Sequence, residues 1–445
     1  MPHTKPAAPT ASLSVLDGVA LIVGVVVGVG IFKTPSLVAA NVGSEAAFIG
    51  VWVLGGFITL VGALCYAELG SAHPDAGGEY HFLTRAYGKS VGLLFAWARG
   101  TVIQTGAIAA VGFVYGDYAS NLIPLGPYSS AIHAAIALVA LTTINLIGTL
   151  ESKRTQVLLT SLTIAALLTV MIAGFTRGSA APAAAIVSTP PLGALGLAMV
   201  FVLLTYGGWN EAAYLTGELK DVRRTIAKTL LLGTATVTVA YILANLAYLN
   251  AFGLEGLRRS NAVGADLMRL TVGDAGAVIL SVIVCVCALS TLNGTIFTGA
   301  RVYYALGRDL RTVKMLGVWD ARGHEPGNAL LLQCAIALVL IAFGATTPEG
   351  FEAMVAYTAP VFWFFLFLVA ISIFVFRRRD SGALRYRMPL YPLPPIVLAA
   401  AAAWMVYSSL AYAGLGAIFG VAVLLAGTPL LLIERRHMKA AQPRR

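Results

Sequence analysis

Gly24-Val25-Val26-Val27-Gly28-Val29-Gly30-Ile31-Phe32 interrupts the first long apolar run of this chain, and Leu204-Thr205-Tyr206-Gly207-Gly208-Trp209-Asn210-Glu211 interrupts a later one. Each lies near the middle of a stretch long enough to cross a bilayer, where glycine weakens a helix and lets the backbone unwind. Interruptions at matching places in two halves of a membrane protein point to a midplane binding site in a secondary transporter. The expectation is a chain that carries a small solute across a membrane.

Composition agrees. Apolar residues make up 58% of the 445 positions and charged residues 11%, far from the roughly 25% charge of a soluble domain. Mean hydropathy is +0.83. Apolar runs of about 20 residues recur from end to end, and by this length criterion there are about twelve. Their cores are 13–39, 47–69, 91–118, 128–148, 156–175, 194–217, 229–252, 276–305, 328–345, 351–376, 395–412 and 414–433. No small-residue cleavage site follows a short apolar core at the N-terminus, so no removable signal peptide is expected.

The net charge of +10 is a topology signal. Basic residues crowd alternate loops: Arg85 and Lys89; Lys153 and Arg154; Lys220 to Lys228; Arg308 to Arg322; Arg377 to Arg387; Arg435 to Lys439. The intervening loops hold few. By the positive-inside rule both termini are cytoplasmic, in the cell membrane, with an even number of spans. Nucleic-acid binding would need a basic face on a soluble module, and the runs leave room for none.

Metal and redox chemistry find little support. Cys65, Cys285, Cys287 and Cys334 sit inside apolar runs, where cysteine packs as a small hydrophobe. Cys285 and Cys287 on one helix point about 200° apart, and no histidine partners them for metal ligation. Of the histidines only His133 falls within a run, as a packing or hydrogen-bonding residue. No cofactor, metal or catalytic residue is expected. The stretch 253–275 reads as a short amphipathic helix outside the membrane, and Ser71 to Lys89 as a turn-rich connection.

Beyond the first break runs Cys65-Tyr66-Ala67-Glu68-Leu69-Gly70, then Pro74, Gly77-Gly78-Glu79-Tyr80 and Tyr87-Gly88. This resembles the second-to-third-span signature of the amino acid–polyamine–organocation permeases. Gly28 to Phe32 is similar to that family's first-span motif, Tyr206 to Glu211 with Glu218 to Arg224 to its sixth span and loop, and Asn293 to Tyr304 to its eighth. The matches run in order over roughly residues 15–330, and the Tyr-Gly-Gly-Trp-Asn form leans toward the L-type amino acid transporter branch. The resemblance implies an all-α membrane protein with a LeuT-like fold: two inverted repeats, 13–175 and 194–376, within a core of 13–376. Two added spans, 377–433, and tails at 1–12 and 434–445 complete it.

The local physics suits an amino acid zwitterion. A broken first span offers the N–H groups of Val29, Gly30 and Ile31 to the carboxylate, at a helix start that carries about half a positive charge. Carbonyls around Val26, Val27 and Gly28, with Leu204, Gly207 and Gly208 on the sixth span, can accept the ammonium protons. Buried charged side chains at that depth would cost several kcal/mol, so backbone dipoles are the cheaper solution. Asn210 is a direct or water-mediated contact by the resemblance. Taken alone, Gly24-x-x-x-Gly28 also reads as a helix-packing motif; Gly28-x-Gly30 is no dinucleotide fingerprint, because no strand precedes it.

Several positions depart from the family pattern. Val29 stands where serine is frequent, so backbone donors must hold the carboxylate. Leu204 occupies the place of an aromatic gate, with Phe201 one turn earlier. Where many relatives carry a fifth-span lysine, this chain has Thr163. Coupling then runs either through sodium on Thr163, Ser290 and Thr291, or through a proton on Glu211, or is plain exchange; the expectation leans to proton-linked uptake or exchange. Lys33 reads either as paired at the outer interface or as a charge biasing the vestibule against cations, and Gln104 and Asp117 have no assigned direction. The expected substrate is a neutral amino acid, with a cationic amino acid or amine, or a non-transporting nutrient sensor, as alternatives. Animal relatives join a glycoprotein through a cysteine after the third span; Ser120 to Tyr128 has none, so no disulfide-linked heavy subunit is expected beside the membrane lipid.

Overall fold

The computed structural model describes residues 15–73, 78–147, 153–177, 192–210, 222–309, 311–318, 326–379, 386–412 and 414–429. Among these the regular elements are all helical, and nine helices are long and apolar enough to cross a membrane. Ile136, Leu158, Ile172, Val239, Val339 and Leu415 each stand more than half exposed on the outside of the bundle. Water would penalise such belts, whereas hydrocarbon solvates them. Helices also satisfy their own backbone groups, which a bilayer interior demands. The chain is a multi-pass membrane protein.

The first expected span is two helices rather than one. Helix α1 (Val15–Val26) stops, a 3-10 turn covers Val29–Phe32, and α2 (Thr34–Ala40) continues. Next come α3 (Glu45–Ala72) and α4 (Gly78–Tyr87). Ser44 starts α3 by accepting the Ala47 N–H at 3.1 Å, as an N-cap should. The connection expected to be turn-rich is therefore partly helical: α4 buries Phe82, Leu83 and Ala86, and Gly88, with φ of 96°, ends it in a conformation glycine adopts without strain. Pro74 and Gly77 lie outside the described residues.

Helix α5 (Lys89–Ala98) runs through a π-helical turn, Arg99–Gln104, into α6 (Thr105–Leu122). Such turns displace carbonyls from the helical ladder. Here Tyr303 donates to the Gly100 carbonyl at 2.7 Å and Tyr357 to that of Thr101 at 2.9 Å. The chain continues with α7 (Ser129–Ile147), α8 (Lys153–Thr176) and α9 (Leu192–Thr205). It then runs through α10 (Val222–Arg258), α11 (Val263–Val272), α12 (Asp274–Asp309), α13 (Gly327–Ala345) and α14 (Gly350–Arg379). Helices α15 (Leu393–Tyr412) and α16 (Gly414–Ala426) follow.

The stretch expected to be amphipathic divides in two. Helix α10 kinks at Gly253, where φ is 63°, and α11 packs Val263, Leu267 and Met268 inward while Arg269 pairs with Asp266 and Asp274. Arg258 reaches back to the Ala39 and Val42 carbonyls at 2.9 and 2.6 Å. That guanidinium satisfies the open C-terminus of α2 and fixes the second half of the broken span.

Candidate functional site

The first break has a simple local cause. After Val26 the backbone of Gly28 turns extended, with φ −102° and ψ −172°, and no side chain caps the 3-10 turn that follows. Val29 and Gly30 supply the first N–H groups of that turn, which have no partner within it. The glycines divide by role. A Cβ on Gly24 would lie 2.8 Å from Thr160 of α8, so Gly24 is the packing glycine. A Cβ on Gly28 would approach nothing closer than 3.9 Å, and one on Gly30 only Thr205 at 3.6 Å. Packing does not require glycine at 28 or 30, since a side chain there would begin at ordinary contact distance.

The second break begins where α9 ends. Gly207 donates to the Leu204 carbonyl at 3.0 Å, and Gly208 has φ of 103°, a left-handed conformation that glycine takes freely. Tyr206 and Trp209 anchor the turn. Tyr206 stacks obliquely on buried Trp52 at 5.9 Å and bonds its carbonyl, while Trp209 meets the Tyr66 ring at 4.9 Å. The two breaks meet: the Thr205 hydroxyl, shared with the Phe201 carbonyl at 2.7 Å, lies 2.8 Å from that of Thr34, and Thr34 donates to the Gly30 carbonyl at 3.0 Å. Sequence reading passed over this threonine pair. The signal was there, since two hydroxyls in apolar runs need partners.

Some expected contacts are already committed. The Val26 carbonyl accepts from both the Gly28 N–H at 2.8 Å and the buried Tyr241 hydroxyl at 2.9 Å, so it is not the unpaired acceptor that was expected. The Leu204 carbonyl is shared with Gly207. Val29 and Ile31 bury their side chains and face the site only through backbone. Asn210 donates to Glu79 at 3.1 Å; the same carboxylate takes Tyr66 at 2.5 Å and Arg99 at 3.1 Å. Glu79, quoted above only as part of a motif, thus ties the second break to α3, α4 and the π turn.

The coupling candidates divide as well. Thr163 bonds the Leu159 carbonyl at 3.0 Å. Thr291 donates to the Cys287 carbonyl at 3.1 Å and is exposed, and Ser290 is half-buried. Glu211 lies outside the described residues. Gln104 is now placed, donating to the Thr295 carbonyl at 3.0 Å and to Thr298 at 3.2 Å. Lys33 is buried, with its ammonium 2.9 Å from Asp117 and 3.1 Å from Glu349. Its charge is cancelled twice over, so it does not repel cations from a vestibule.

A helix broken at Gly28 that meets the glycine-marked end of α9 inside a bundle of apolar helices is the arrangement of a solute permease. The amino acid permease family matches residues 13–431, and the chain belongs to it. It is 27% identical over 432 residues to the serine/threonine exchanger SteT of Bacillus subtilis (strain 168), covering 96% of this chain and 98% of that protein. Asc-type amino acid transporter 1 of Mus musculus is 27% identical, covering 95% of this chain and 80% of its own length. The large neutral amino acids transporter small subunit 2 of Homo sapiens is 28% identical over the same shares. The chain is a transporter and not an enzyme.

Proposed function

We propose that the protein moves a neutral amino acid across the cell membrane by alternating access, in exchange or with a proton, with both termini cytoplasmic. The twelve apolar runs form two inverted repeats of five spans, broken in the first and sixth, plus two added spans. The substrate carboxylate sits on the N–H groups of Val29, Gly30 and Ile31, and its ammonium on the carbonyls of Val27 and Gly207, with Asn210 at the margin. Dipoles at a helix start bind an anion without a buried cation. The observation that carries this reading is the Thr34–Thr205 contact, which joins the two breaks beside Gly28 and Gly30, where packing does not require glycine.

The exchange activity named for one relative and the amino acid substrates named for the others support the same reading. No disulfide-linked heavy subunit is needed, because Ser120 to Tyr128 carries no cysteine. The test is a panel of radiolabelled amino acids in proteoliposomes, loaded or empty, with and without proton and sodium gradients. Saturable flux of a neutral amino acid is expected. Binding without flux would replace transport with sensing, and flux of cationic amino acids alone would overturn the substrate class.

A further inference from the structure

A cavity of about 470 Å³ opens one turn before the second break, at the end of the bundle where Lys33 is held; the Phe201 carbonyl, on its wall, takes the Thr205 hydroxyl at 2.7 Å. Its walls are Phe201 of α9, Phe343 of α13, Ala356 of α14 and Leu415 of α16, with Glu349 and Glu352 on one rim. A volume of this size suits a small organic ligand, and an apolar wall with few polar groups is the usual composition of such a site. The rim is chemically one-sided. Glu349 and Glu352 lie three residues apart at the start of α14, on one face of the helix. Glu349 gives one oxygen to Lys33. Glu352 is half-buried, with no hydrogen bond or ion pair among the described residues, and it faces Glu349 as a like charge and Lys33 as an opposite one. Lys33 pairs directly with Asp117 and Glu349, so the further carboxylate of Glu352 leaves this end of the bundle with more acids than ammonium groups. A desolvated carboxylate beside a second one is unfavourable until a cation arrives. A bare metal ion does not fit, because the remaining walls are hydrocarbon and hard cations need several oxygen ligands.

We infer that this cavity is a second ligand site, distinct from the central one, for an organic ammonium with an apolar body. The ammonium sits between Glu352 and Glu349, and the body lies against Phe201, Phe343 and Leu415. The inference does not depend on the central site being an amino acid site.

The test uses the full chain in phosphatidylcholine nanodiscs, with Thr346→Cys as a reporter, since Thr346 is exposed on the cavity wall. The alkylation rate at that cysteine is followed by mass spectrometry against 2-phenylethylamine and its neutral counterpart, 2-phenylethanol. The amine should protect the cysteine and the alcohol should not. Glu352→Gln should raise the half-protecting concentration at least tenfold, and Ala353→Phe, which fills the cavity without touching charge, should abolish protection. Protection should persist in Gly30→Val. Equal protection by the alcohol, equal protection in Glu352→Gln, or loss in Gly30→Val would overturn the site. Phosphatidylethanolamine carries the same ammonium and apolar chemistry. A half-protecting concentration raised by adding that lipid assigns the site to the bilayer, and an unchanged one to soluble amines.

Discussion

The Thr205 hydroxyl lies 2.8 Å from that of Thr34, so the two interrupted segments are joined by side chains at the point where each loses its helical ladder. The chain of bonds runs from Thr205 through Thr34 to the Gly30 carbonyl. Thr34→Val removes both links, whereas Thr205→Val leaves the Gly30 bond intact and loses instead the bond to the Phe201 carbonyl. Each lost bond should cost about 1 kcal/mol of stability. Substrate affinity should fall more in Thr34→Val than in Thr205→Val, read by equilibrium binding beside the thermal midpoint. Equal affinities in the two variants would detach the pair from the site.

Gly24 and Gly30 separate packing from binding within one motif. Gly24→Val drives its side chain into Thr160, at 2.8 Å from the first added atom, and overpacking of this kind costs about 1–3 kcal/mol. Gly30→Val meets only Thr205 at ordinary contact distance. It should leave the midpoint nearly unchanged and abolish transport, because a β-branched side chain fills the ligand's space and stiffens the break. Near-native uptake by Gly30→Val would remove the carboxylate assignment.

Lys33→Met leaves Asp117 and Glu349 facing each other without their shared cation. Breaking a buried pair costs about 3–5 kcal/mol, and partial exposure of the two acids, 21% and 37%, places this case near or below the lower figure. Adding Asp117→Asn and Glu349→Gln to Lys33→Met should recover much of the lost thermal stability, since repulsion is then gone. If the triple variant is no more stable than Lys33→Met, the loss arises from packing of the lysine stem.

Much of this was legible in the sequence because glycine spacing and apolar run length are local signals. The breaks at Gly28 and Gly207, the helical class and the amphipathic α11 all follow from residues close in the chain. Partnerships across the chain were not. Lys33 finds acids 84 and 316 residues away by numbering, and Val26 loses its free carbonyl to Tyr241, 215 residues on. Nothing local marks which hydroxyl will reach which carbonyl. Asn210 illustrates the limit: its place beside the break was readable, but its commitment to Glu79 depends on where α4 packs.

Gly62 and Trp209 form a notch and its filling. A Cβ on Gly62 would run directly into the Trp209 indole, which also rests on Tyr66. Gly62→Ala should therefore lower stability by about 1–3 kcal/mol and disturb the second break, with reduced transport at unchanged membrane insertion. Trp209→Phe in the same chain should restore part of the stability by vacating the notch. A neutral Gly62→Ala would mean that the indole can shift without cost, and that the second break is less firmly set than its packing implies.

Coupling turns on Thr163 and Glu211. Thr163 offers a hydroxyl already bonded to the Leu159 carbonyl, while Thr291 addresses the Cys287 carbonyl from an exposed position. Both hydroxyls spend their protons within their own helices, and Ser290 is half-buried. A proton needs only one titrating group, and Glu211 follows directly on the second break. Glu211→Gln should flatten the pH dependence of uptake while leaving substrate affinity within a few-fold, and replacing sodium by choline should change little. Thr163→Lys, which places a fixed cation there, should be tolerated if sodium is not the coupling ion. Uptake that requires sodium, ignores pH and is unaffected by Glu211→Gln would reverse the assignment and make Thr163, Ser290 and Thr291 the coupling residues.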